Sequence, residues 1–120
     1  MINKQLIDAC EALGWMVHED DDGSVELEQY SPAGEDFLFY VCPSDSTFVQ
    51  EIVAYAADFD PDEHIEMWIE AKHNGGIGIP NARELVHDAE AIDKMLQELA
   101  IKLVQVACEI ENAKNLSCGL

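Results

Sequence analysis

Lysine and arginine are missing from most of this sequence. The first basic residue is Lys4, the next is Lys72, and residues 5–71 between them hold eighteen Asp and Glu. Residues 72–120 hold seven acids and five basic residues, so most of the formal net charge of −19 belongs to the first three-fifths of the chain. Such a field repels nucleic acid and anionic lipid, and it attracts basic surfaces over a Debye length of about 8–10 Å. We therefore expect neither direct nucleic-acid binding nor membrane binding.

Long apolar runs and paired cysteines are also lacking. No stretch approaches the roughly eighteen apolar residues that span a membrane, and the opening segment MINKQLIDAC has no apolar core of a secretion signal. The cysteines show no C-x-x-C spacing; they are Cys10, Cys42, Cys108 and Cys118. We therefore expect a cytoplasmic protein with reduced thiols.

Motifs for metal binding and catalysis are absent as well. Asp58, Asp60 and Asp62 have the alternate spacing of a calcium loop, but Glu63 and Ile69 stand where that loop needs Gly and Glu. The histidines show no H-E-x-x-H spacing. Most acids fall in turns and on polar faces, where no carboxyl is distinguished as a catalytic acid or base. The sequence predicts no cofactor, no metal and no enzyme, and an enzyme with an acidic metal site is kept as a third hypothesis.

Short strands are predicted early in the chain. Apolar residues at helical spacing indicate a helix over residues 2–13, which Gly14 ends. Strands are predicted over residues 15–18, 24–30 and 37–41, with turn residues between them and acids on the outer face of the second strand. Because short turns connect the strands, we expect a three-stranded antiparallel meander.

Helices are predicted for the remainder. An apolar stripe indicates a helix over residues 48–59, and Asp60, Pro61 and Glu63 form an N-terminal capping arrangement for a helix that runs to about His73.

The last third of the chain is also predicted to be helical. Start signals at Pro80 and Asn81 and a helical pattern over residues 89–113 indicate two segments with a break near Asp88. A helix, a sheet and then three to four helices, without β-α-β alternation, predict an α+β fold in a single domain of residues 1–120.

A row of carboxylates follows the helix that begins at Pro61. Asp62, Glu66 and Glu70 are spaced at i, i+4 and i+8. Neighbours at this spacing stand about 5–6 Å apart and repel each other by about 0.2–0.5 kcal/mol per pair. Such a row imitates the regular negative charge of nucleic acid. Together with the flanking acids and the acidic turn at residues 19–22, it predicts a partner-binding surface made of Asp58, Asp60, Asp62, Glu63, Glu66, Glu70, Asp20, Asp21 and Asp22.

The apolar arc of the C-terminal helix is wider than one core contact needs. Ala100, Ile101, Val106 and Cys108 add to its main stripe. The helix is therefore expected to be buried on two sides, either within the domain or across a homodimer seam. In the second case Ile101 and Val106 are the predicted interface residues.

Three stretches, EDFLFYV, YAADFDPDEHIEMWIEA and IPNARELVHDAEAIDKMLQELA, resemble a group of small acidic proteins carried on bacterial mobile elements. The resemblance covers roughly residues 14–100 and implies no functional residue, because that group has no established activity. It implies a role in the conflict between mobile DNA and the bacterial host cell. Anti-CRISPR and antirestriction proteins are similar in size, charge and helix-plus-sheet composition.

The leading prediction is an acidic protein that inhibits a basic nucleic-acid-binding host protein, such as a Cas effector or a restriction enzyme; a DNA mimic is one form of this prediction. The alternative is a non-catalytic regulatory or structural module that dimerises through the C-terminal helix. In that case the acidity serves only solubility.

Overall fold

The order of helices and strands confirms the α+β prediction. The computed structural model describes residues 2–32, 34–44, 46–75 and 82–118. The elements within them are α1 (Lys4–Ala12), β1 (Met16–Glu19), β2 (Val25–Tyr30), β3 (Asp36–Val41), α2 (Phe48–Asp58), α3 (Pro61–Gly75) and α4 (Ala82–Cys118). None of the described helices is long and apolar enough to cross a membrane.

The three strands form an antiparallel meander in the order β1-β2-β3, as predicted, so β1 and β3 are its edges. Val17 pairs with Leu27, and Leu27 pairs with Phe39, so these three side chains lie on one face of the sheet. Both hairpin turns use a glycine with positive φ, Gly23 at 91° and Gly34 at 88°, a conformation that costs other residues steric strain. The alternation of strand residues thus separates an inner face from an outer one.

The inner face of the sheet packs against the helices in one apolar core. Buried side chains come from α1, from the inner face of β2 and β3, and from α2 and α4. Trp15 lies almost fully buried just before β1 and contacts Phe37 and Phe39 edge-on, with ring centroids 6.3 and 5.7 Å away. Helix α4 contributes Leu96 and Leu99, so it is the central helix of the core.

The predicted helix break near Asp88 is wrong. Asp88 lies inside α4, which is continuous over the described residues, and its side chain is only 2% exposed. Leu85, Ala89 and Ile92 are buried at the same helical spacing, so Asp88 belongs to the buried stripe of this helix. The predicted start signals at Pro80 and Asn81 lie outside the described residues.

The predicted cap of α3 is confirmed at Asp60. The backbone N–H of Asp62 donates to Asp60 Oδ1 at 3.0 Å, and the N–H of His64 donates to the Asp60 carbonyl at 3.0 Å. Pro61 is the first helical residue, where its missing N–H costs nothing. Only Phe59 and Asp60 separate α2 from α3, and this short connection fixes where the nearby acids lie.

Candidate functional site

An acidic cleft lies between the β3 edge of the sheet, the end of α2 and the start of α3. Its volume is about 390 Å³. The side chains of five acids line it: Glu35, Asp36, Asp58, Asp60 and Glu63. The first two stand at the start of β3, while the other three surround the short α2–α3 connection. Carboxylates from separate parts of the chain therefore share one concave surface.

Aromatic rings form the walls of the acidic cleft. Phe37, Tyr55 and Phe59 line it, and Phe37 and Phe59 meet edge-on with their centroids 5.9 Å apart. Tyr55 is stacked on Phe39 at 4.2 Å and 13°, which anchors the ring to the core. Burial raises the pKa of Tyr55, so its hydroxyl stays neutral at physiological pH. Aromatic faces beside carboxylates suit a planar cation.

His64 connects helix α3 to the loop before β3. Its Nε2 lies 2.9 Å from Glu35 Oε2, and both side chains are mostly buried. The ring also packs against Phe37 and Phe59, with centroids 5.8 and 5.5 Å away. The imidazole carries a positive charge only when protonated. This contact joins residues that are twenty-nine positions apart and holds the two sides of the cleft together.

Three of the predicted partner-binding acids line the acidic cleft, namely Asp58, Asp60 and Glu63. The predicted row of Asp62, Glu66 and Glu70 lies outside it, exposed on α3. Hence the structure divides the acids predicted around α3 into a cleft group and an open row.

The predicted acidic turn lies between β1 and β2. Asp20, Asp21 and Asp22 are all exposed there. Asp22 Oδ1 accepts hydrogen bonds from the N–H and the hydroxyl of Ser24, at 2.9 and 2.7 Å. The bond from the Ser24 hydroxyl is the main cause that lowers the pKa of Asp22. Asp22 therefore stabilises its own turn, while Asp21 remains an exposed acid.

Sequence reasoning missed Glu35 and Asp36 as site residues. They directly follow the turn before β3 and belong to the stretch EDFLFYV, but no periodicity relates them to α3. The only available signal was that two adjacent acids open an otherwise apolar and aromatic strand. Their contribution depends on the packing of β3 beside the α2–α3 connection.

The sheet has a second surface, the outer sheet face, on the side away from the core. It consists of the outward side chains of Met16, His18, Glu26, Glu28, Tyr30, Asp36, Leu38 and Tyr40. His18 stands opposite Glu26, which in turn stands opposite Tyr40. The Tyr40 hydroxyl donates to Glu26 Oε1 at 3.2 Å. Acids and large side chains therefore alternate across this face.

Like charges are crowded on the outer sheet face. A hydrogen bond between the carboxyl groups of Glu28 and Asp36, slight desolvation and the charges of Asp36 and Glu26 raise the pKa of Glu28, while His18 opposes the shift. The hydrogen bond to Glu26, and then the negative charge of Glu26, raise the pKa of Tyr40. Residues 5–71 contain no Lys or Arg, so this part of the chain has no permanently positive side chain to offset these carboxylates.

Replacing Glu28 with Gln is expected to raise the melting temperature at neutral pH. Because the folded-state pKa of Glu28 is raised, its ionised form destabilises the fold at neutral pH, and this penalty disappears below the ordinary pKa of 4.5. The gain should therefore vanish near about pH 3. Thermal unfolding followed by circular dichroism measures it. Glu109→Gln, which removes an exposed charge from α4, is the control. An equal gain in melting temperature in that variant would mean that the effect comes from the lower net charge alone.

The two predicted dimer residues have different environments in α4. Val106 is 8% exposed and belongs to the core, so it offers no surface to a second copy, and its assignment to an interface is corrected. It lies seven residues after Leu99 and thus on the same helix face. Ile101 is 60% exposed, and its role in a dimer remains a prediction. An apolar groove of about 1030 Å³ lies nearby between α1, α2 and α4, with Val53 and Val104 among its lining residues.

Within the described ranges, no group of three or more His, Cys, Asp and Glu side chains is placed to hold a metal ion.

Comparison with protein-family models, curated proteins and solved structures found no significant match. The resemblance to acidic proteins of mobile elements therefore remains a prediction from the sequence. Function has to be inferred from the charge and geometry of the acidic cleft and the outer sheet face.

Proposed function

We propose that this protein binds a basic, nucleic-acid-binding host protein and inhibits it by occupying the surface that normally contacts phosphates. The main support is the acidic cleft, which gathers the carboxylates of Asp58, Asp60 and Glu63 with those of Glu35 and Asp36 beside aromatic walls. A solvated acidic surface needs no such concavity. Basic side chains of a partner can enter it and exchange phosphate oxygens for carboxylate oxygens.

The charge distribution gives this proposal its kinetic basis. Residues 5–71 contribute eighteen acids and no Lys or Arg, so the field around the cleft and sheet has one sign. Fields of this kind accelerate the encounter with an oppositely charged surface, and salt screens the effect. A protein with a groove that binds DNA or RNA phosphates presents the complementary field. The same charge repels nucleic acid itself, so the inhibitor competes for the protein without contacting its substrate.

The exposed row on α3 extends the proposed contact surface. Asp62, Glu66 and Glu70 lie on the same helix as Glu63 and are separated by one turn each. Their spacing of about 6 Å along the helix axis forms a regular line of negative charge, as a phosphate backbone does, which is the basis of the DNA-mimic form of this proposal. The cleft would then receive a deeply inserted basic side chain, while the row contacts a flatter basic surface.

The proposal is tested by capturing partners from a bacterial lysate with the tagged full chain at low salt. We expect one basic nuclease or other nucleic-acid-binding protein to be enriched above other cationic proteins and to elute in a salt gradient. The captured protein is then assayed for nucleic-acid binding or cleavage with and without this chain. Retention of ribosomal and other basic proteins without discrimination would overturn the proposal and favour the dimerising module, which light scattering at several concentrations would detect.

A further inference from the structure

The outer sheet face carries several large side chains that are exposed to solvent. Tyr30 and Tyr40 are 61% and 56% exposed, and Met16 and Leu38 are exposed as well. An antiparallel sheet with one face in water usually alternates buried apolar side chains with polar ones. Aromatic side chains on a surface are enriched where another protein binds. The outer sheet face therefore has the side chains of an interface.

The carboxylates between these rings indicate that the partner is positively charged. Glu28 stands opposite Leu38, so Asp36, two positions earlier on β3, is its diagonal neighbour. Long side chains at diagonal positions of adjacent strands are within reach of each other, so the two acidic side chains crowd one another. Glu26 stands two residues away on the same strand and accepts a hydrogen bond from Tyr40. A cation placed over this group would relieve the repulsion, and residues 5–71 contain no Lys or Arg to do so.

We propose that the outer sheet face binds an arginine-bearing segment of the basic partner, with a guanidinium group between Glu28 and Asp36. Arginine fits better than lysine because its planar group can bond two carboxylates at once and stack on a tyrosine ring. Tyr30 and Tyr40 stand next to this acid pair on β2 and β3. This inference rests on the proposed function and specifies which side chain of the partner is recognised.

The outer sheet face is continuous with the acidic cleft. Asp36 and Leu38 belong to both surfaces, because β3 is the edge strand and turns these side chains outward beside the cleft. A segment that crosses the sheet toward β3 thus arrives at the cleft, where Glu63 and Asp58 provide further carboxylates. Two arginine side chains of one segment can occupy the two surfaces together.

The test uses fluorescein-labelled hexa-arginine and hexa-lysine peptides, titrated with the full-length protein and followed by fluorescence anisotropy at low and physiological salt. We expect the wild-type chain to bind hexa-arginine several-fold more tightly than hexa-lysine. Replacing Glu26 and Glu28 with Gln should weaken hexa-arginine binding by about tenfold, since the charge-assisted contact of Glu28 with the guanidinium group and the neighbouring negative charge of Glu26 are both lost. The matched control replaces Glu109 and Glu111 with Gln, removes the same charge from exposed positions of α4, and should weaken binding by no more than about twofold.

Equal losses in the two double variants, or equal affinities for the two peptides, would overturn the assignment to the outer sheet face. Circular dichroism confirms that each variant is folded. Backbone amide shifts give an independent readout: hexa-arginine should perturb Leu38 and Tyr40 more than residues of α4. The lysate capture tests the proposed function separately from this inference. If the lysate yields a specific basic partner that binds the Glu26 and Glu28 variant at wild-type affinity, the function stands and this inference is wrong.

Discussion

Replacing both Asp58 and Glu63 with lysine is expected to weaken binding to the captured basic partner by at least about a hundredfold, or about 2.8 kcal/mol. Both side chains are exposed and line the acidic cleft, so the double variant converts two attractive contacts into repulsive ones. Neither belongs to the core; lysine suits the helix dipole at the C-terminal end of α2 but opposes it in the first turn of α3, so circular dichroism has to confirm that the double variant is folded. Isothermal titration calorimetry of the purified pair measures the loss.

The control for the cleft variant carries the same change in net charge at another place. Glu109 and Glu111 are exposed on α4, and replacing both with lysine should reduce affinity only through the general field. An equal loss in both double variants would show that position is irrelevant and would contradict the assignment of the cleft.

Reversing the charges of the row on α3 tests whether these residues also contact the partner. Replacing Asp62, Glu66 and Glu70 with lysine should abolish binding if a DNA-like row contributes. These side chains are exposed, so the fold should persist, and circular dichroism checks this. If the triple variant binds like the wild type while the cleft variant does not, the contact is confined to the cleft and the row only adds to solubility.

Replacing Leu96 with alanine is expected to lower the free energy of unfolding by about 2–5 kcal/mol. Leu96 has no exposed surface and lies in the part of α4 that packs into the core, so truncation leaves a cavity among rigid neighbours. Because small domains are stable by only about 5–15 kcal/mol, this loss removes a large part of the total. Urea unfolding followed by circular dichroism and by the fluorescence of the tryptophans measures the change.

Ile101→Ala is the matched control for this core substitution. Ile101 lies on the same helix, five residues later, and is 60% exposed, so the same kind of truncation should cost less than about 1 kcal/mol. A large loss that grows with protein concentration would instead indicate that a second copy covers Ile101. This outcome would support the dimer alternative, whereas a large loss independent of concentration would contradict the orientation of α4.

The fold was predictable because its signals are local. Alternating residues marked the strands, glycines marked the turns, and Asp60 with Pro61 marked the start of α3, each through an interaction within a few residues. The break near Asp88 was wrongly predicted because burial of one polar side chain is decided by the elements around it. Val106 was assigned to an interface although its spacing from Leu99 places it on the core face.

The acidity of the protein, the long interval without Lys or Arg and the acids near Asp60 follow from the chain alone, since composition and short-range order need no tertiary contacts. Which acids meet depends on the tertiary packing. The packing of β3 beside the α2–α3 connection brought Glu35 and Asp36 to Asp58 and Glu63, and the strand register placed Glu28 beside Asp36. These contacts join residues far apart in the chain, and their positions depend on how the core packs, which no local pattern encodes.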